Sequence, residues 1–133
     1  MRGDIKMTKN EIAKQINSIE NIGRTIILDE KNYFKAGEIY NNRDKAESWQ
    51  SSDADQDFSC ELDGRYVYFL RCSNVEVHKV DYENEEEVEA LSAFESEYEV
   101  LVPADTKMKI VSVSSDDDYE EMGYYEVELE VVK

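Results

Sequence analysis

Three observations in the 133-residue sequence predict an α+β fold with a largely antiparallel sheet. Helical spacing comes early, strand patterns dominate the later chain, and the last segment alternates apolar with acidic residues as a half-exposed strand does. The length suits a single domain spanning residues 1–133 with a core that needs no staples.

Each element has its own signal. Residues 1–7 read as a loose leader. Thr8 with Glu11 three residues on forms a capping box, and Ile12, Ile16 and Ile19 follow at helical spacing. The pattern predicts a helix over 9–21 that stops before Gly23. "RTIILD" is fit for a short strand, and "KAGEIYNNRD" for a turn with a short strand around Glu38–Tyr40. The polar segment "KAESWQSSDADQDFSCELDG" reads as a loop with a strand starting near Trp49. "RYVYFLRC" is apolar on both faces and so predicts a central strand, with "NVEVHKV" a second one. "NEEEVEALS" carries acids in its first turn, with Val88 and Leu91 expected to face inward, which predicts a short capped helix. Strands are expected around 98–102 and 107–113, then an acidic loop at 114–123. In "YYEVELEVV", Tyr125, Val127, Leu129 and Val131 alternate with Glu126, Glu128 and Glu130.

Charge narrows the function classes. There are 32 acidic and 15 basic residues, a formal net charge of −17. Direct binding to nucleic acid or to an anionic membrane is disfavoured, because phosphate contacts need excess Lys and Arg. The acid is concentrated late: residues 1–75 hold 13 acidic and 11 basic side chains, residues 76–133 hold 19 and 4. Such a field suits a basic partner, or serves solubility alone. Cys60 and Cys72 are too few for a disulfide scaffold. With no signal peptide or long apolar run, the expected location is the cytoplasm. No metal is expected, since His78 is the only histidine and has no ligand-like spacing around it; it reads as a surface or packing residue.

The stretch "FESEYEVLVPADTKMKIVSV" holds Glu97 and Glu99 two apart, before the apolar run Val100–Val102 and the sole proline, Pro103. On a strand both glutamates face one way. They are either a solvent face or a pair placed for chemistry, dividing labour between holding a hydroxyl and stabilising positive charge.

The same stretch resembles the end of the catalytic core of mono-ADP-ribosyltransferases. That pattern is Glu-x-Glu, apolar residues, Pro, two residues, Thr or Ser, then a basic–apolar–basic strand. Here Glu97, Glu99, Val100 to Pro103, and Thr106 to Ile110 meet it. The resemblance implies two small, mostly antiparallel sheets around a cleft that takes NAD⁺ as substrate. It implies Glu99 as the catalytic carboxylate, bound to a ribose hydroxyl, and Glu97 as the group that orients an acceptor on a protein target. For the family's aromatic and Ser-Thr-Ser element it offers Trp49 with Ser51, Ser52 and Asp53, which otherwise read as a polar loop. For the arginine that grips the phosphates, the alignment puts Leu28 in place. Arg24 stands earlier on that strand and Arg43 stands before the serines, while Arg65 and Arg71 flank the central strand. A second reading keeps the fold without the reaction: an acidic inhibitor that docks on a basic, nucleic-acid-binding protein.

Overall fold

Two long strands, β1 (Ser18–Leu28) and β4 (Tyr66–Lys79), pair antiparallel along most of their length and organise everything else. The computed structural model describes residues 7–51, 63–93 and 98–132. The remaining strands are β2 (Ile39–Asn41), β3 (Glu47–Ser51), β5 (Glu99–Val102), β6 (Lys107–Val113) and β7 (Tyr125–Val131). Their order is β1-β3-β5-β4-β7-β6-β2, with β1 also pairing β4. Among the described residues, only the β4–β7 pair is parallel.

The expected two sheets are joined in one ladder because β4 serves both. Its first half pairs with β7 through Tyr68–Cys72, and its last residues, His78 and Lys79, pair with β5. Between the halves the β1–β4 register shifts after Glu20, with Asn74 at φ +55° and its N–H donated to the Asn21 Oδ1. A bulge of this kind bends the strand and lets it change partners. "RYVYFLRC" and "NVEVHKV" are thus a single bent strand, central as its two-faced apolarity predicts.

The main core is built from the inward residues of this ladder, including Ile22, Trp49, Leu70, Val77, Val100, Val127 and Leu129. Aromatic rings extend it: Tyr68 stacks on Tyr125 at 5.3 Å, and Phe34 meets Tyr68 edge-on at 5.3 Å. A second cluster, on the opposite face of β5, joins Ile12, Ala13, Ala46, Val80, Ala93 and Leu101.

Two expectations fail for identifiable reasons. The first helix, α1, covers only Lys9–Ala13 behind the Thr8–Glu11 capping box. Asn17 exchanges hydrogen bonds with the Lys79 backbone (2.7 and 3.0 Å), and the chain from Ser18 on joins β4. The ladder outweighs the weak helical preference of three β-branched isoleucines. Ile16 and Ile19 are left exposed, and Gly23 lies inside β1 rather than at a helix end.

The acidic segment 114–123, expected as a loop, contains the helix α3 (Asp116–Met122). Ser115 caps it in a capping box with Asp118, and Gly123 closes it at φ +84°. Tyr119 fixes it to the sheet, with its ring 4.4 Å from that of Tyr125 and its hydroxyl accepting the Val67 N–H. Between these two helices, α2 (Glu85–Leu91) has Asn84 as N-cap and three glutamates in its first turn, as the sequence predicts.

Candidate functional site

The segment entering β5 carries the site. Glu99 is 8% exposed, opposite Gln50 of β3, and its Oε2 accepts a hydrogen bond from the Ser48 hydroxyl at 2.5 Å. Strand alternation puts Ser48 and Gln50 on one face of β3, and the pairing of Gly23 with Gln50 brings β1 alongside. A cavity of about 260 Å³ is lined by residues 23–25 of β1, 48–50 of β3 and Glu99. Among the described residues, Ser48 is the side chain that donates to Glu99, and no cation lies within 4 Å of it. A nearly buried carboxylate with one hydroxyl donor forfeits solvation that a cation would ordinarily offset.

The backbone around Glu99 is held from two sides. Its N–H is donated to the Tyr82 hydroxyl at 2.7 Å, and its carbonyl accepts the Val80 N–H. Behind Tyr82, α2 is anchored by a buried pair: His78 Nε2 lies 2.9 Å from a Glu87 oxygen, with side chains 5% and 9% exposed. Nδ1 of the same ring lies 2.8 Å from the Gln15 carbonyl and 3.4 Å from the Asn17 side-chain nitrogen. His78 is thus a packing residue that ties the α1–β1 turn to α2.

On the other face of β1 and β3 lies a separate polar group. Arg24 makes a 2.7 Å ion pair with Glu47, whose Oε2 also accepts the Tyr40 hydroxyl and whose Oε1 accepts the Trp49 indole N–H at 3.3 Å. Burial, and then the bond to Glu47, push the Tyr40 phenol well above its usual range.

The sequence-derived residues therefore divide. Glu99 is in the cavity. Arg24, Trp49 and Ser51 alternate to the core side of their strands; Trp49 and Ser51 are 1% and 2% exposed, and the guanidinium of Arg24 is engaged by Glu47. Trp49 and Arg24 nevertheless line the cavity with Glu99 and Ser48. Leu28 packs against the main core, and Arg43 sits at φ +58° in the turn before β3. Ser52 and Glu97 lie outside the described residues, as do residues 1–6 of the leader. The serine that meets Glu99 is Ser48. It was legible in principle: if Trp49 is buried, its neighbours Ser48 and Gln50 must face the other way.

By sequence the chain matches no family model and no curated protein. By structure it is similar to several ADP-ribosyltransferases. Vis toxin from Vibrio splendidus superposes with a TM-score of 0.51 at 13% identity, covering 87% of this chain and 49% of the toxin. C3stau2 from Staphylococcus aureus, solved with NAD, gives 0.57 at 19% identity over 94% of this chain and 68% of that one. The ATR domain of Salmonella SpvB gives 0.55 at 16% identity, covering 88% and 64%. The fold is that of the ADP-ribosyltransferases, and the chain spans about half the length of the Vis structures.

Proposed function

We propose that this protein transfers ADP-ribose from NAD⁺ to a side chain of a protein target, with Glu99 as the catalytic carboxylate and Ser48 as the residue that fixes it. The observation that carries this reading is the Ser48–Glu99 pair, a nearly buried carboxylate in a cavity, with no cation among the described residues within 4 Å of it. The positive charge such a group is suited to stabilise comes from the substrate. When the bond between the ribose C1′ and nicotinamide breaks, nicotinamide leaves with the electron pair and the ribose carries oxocarbenium charge. Glu99 accepts a ribose hydroxyl and lowers the energy of that cation, an effect strongest where water is excluded. A nucleophile of the acceptor then bonds to C1′ and releases its proton. The resemblance gives the orienting of that acceptor to Glu97, and the acidic later half of the chain favours a basic target.

NAD⁺ consumption and label transfer to a broad protein mixture test this. Glu99→Gln should cost at least 100-fold in turnover. Ser48→Ala should cost about tenfold, as loss of one hydrogen bond to a charged group does. Wild type and Glu99→Gln equally inert at millimolar NAD⁺ would sink the enzymatic reading.

One observation favours a second reading: Arg24, which lines the cavity, is engaged by Glu47. A chain that kept the fold without the reaction would act as an acidic binding protein on a basic, nucleic-acid-binding partner. Its binding would weaken steeply with salt and survive Glu99→Gln.

A further inference from the structure

The residue before Glu99 has a backbone that its type disfavours. Tyr98 stands at φ +49°, in the left-handed region. Most other non-glycine residues with a positive φ in the described chain are Asn or Asp, which tolerate that region. A bulky aromatic does not, and the Tyr98 ring, 45% exposed, is not buried in exchange. Such a conformation persists only where the surroundings over-determine it.

What holds it is the peptide group that joins Tyr98 to Glu99. The carbonyl of that group, on Tyr98, accepts the Ser51 N–H of β3 at 3.0 Å. Its N–H, on Glu99, is donated to the Tyr82 hydroxyl at 2.7 Å. In a regular antiparallel pair, Glu99 and Val80 would exchange both backbone bonds. Val80 does donate its N–H to the Glu99 carbonyl at 3.2 Å, but the Glu99 N–H goes to Tyr82. A side-chain hydroxyl thus closes the ladder beside the carboxylate. The Tyr82 ring packs against the second core cluster, with Val80, Ala93 and Leu101, which gives the hydroxyl a fixed seat. We propose that Tyr82 is a positioning residue for the transfer reaction. Its hydroxyl pins the 98–99 peptide, keeps Tyr98 left-handed, and so aims the Glu99 carboxylate at Ser48 and the cavity. The proposal rests on the transferase reading above and adds to it a residue that does not line the cavity.

The test is steady-state nicotinamide release from NAD⁺, with a broad protein mixture as acceptor, by wild type, Tyr82→Phe, Tyr98→Gly and the double variant. Tyr82→Phe keeps the packed ring and removes the hydroxyl. It should lower kcat about tenfold while KM for NAD⁺ stays within about twofold, since only the aim of Glu99 changes. Glycine takes a positive φ at no steric cost, so Tyr82→Phe should cost less than about threefold in the Tyr98→Gly background. A merely structural role would not produce that rescue. A kcat equal to wild type in Tyr82→Phe, or the same loss in both backgrounds, overturns the role of Tyr82 and leaves the transferase reading standing. So does a loss that only follows the folded fraction, measured by circular dichroism at the assay temperature. If wild type releases no nicotinamide at millimolar NAD⁺, the transferase reading falls and the positioning role falls with it.

Discussion

Gly23 is the residue at which backbone and site meet. It pairs with Gln50 on one side and Arg71 on the other, and the Phe69 ring occupies the space over its α-carbon. A methyl group there would lie 2.7 Å from a ring carbon. Gly23→Ala must therefore displace Phe69, which is also packed edge-on against Tyr124 at 5.9 Å. We expect a loss of about 1–3 kcal/mol in urea unfolding, the usual range for overpacking. A stability equal to wild type would mean the ring turns aside freely. Ser48 shows the same dependence on one atom: its hydroxyl is the donor that meets the buried oxygen of Glu99. Neither role is visible in residue type alone, since glycine and serine are common in loops and strands alike.

At the scale of elements, α2 is the support for β5. It is a seven-residue helix with no fully buried side chain, too short to be stable by itself. What holds it is the His78–Glu87 pair, together with the Asp81 N–H donated to Glu87 at 2.7 Å. His78→Ala leaves the Glu87 carboxylate nearly buried without its partner, and we expect a loss of about 3 kcal/mol in denaturant unfolding. A loss under about 0.5 kcal/mol, the size of an ordinary surface change, would show that α2 docks without the pair. The helices also mark where sequence patterns were sufficient. Asn84 and the acidic first turn of α2 announced it directly. Ser115 and Asp118 carried an equally good capping box for α3, yet a run of acids reads as loop until Tyr119 has a sheet to pack on. In α1, isoleucine spacing suggested a helix running to residue 21 where it ends at Ala13, because spacing cannot show that β4 waits to pair with residues 18–28.

For the whole molecule, the net charge of −17 is the dominant electrostatic fact. Like charges repel in the compact state more than in the extended one, and salt screens that repulsion over about 10 Å at 0.1 M. We therefore expect the melting temperature to rise as sodium chloride is raised from near zero to 0.2 M. A fall over that range would mean that the attractive pairs, such as Arg24–Glu47 and Lys31–Asp116, outweigh the repulsion. The same field bears on partners, since a basic target is drawn to it and a polyanion is not.

By itself the sequence determined the fold class, the order and approximate bounds of most strands, and the cap of the first helix. These depend on local pattern: alternation, capping residues, and a short motif read along one strand. Tertiary structure alone decided that β1 begins at Ser18, that the two sheets share β4, and that Ser48 rather than Ser51 meets Glu99. It also decided that Arg24 is paired with Glu47. The physical reason is the same in each case. Which face a side chain occupies depends on register, and a slip of one residue reverses it, so these placements are fixed by pairings between residues dozens of positions apart.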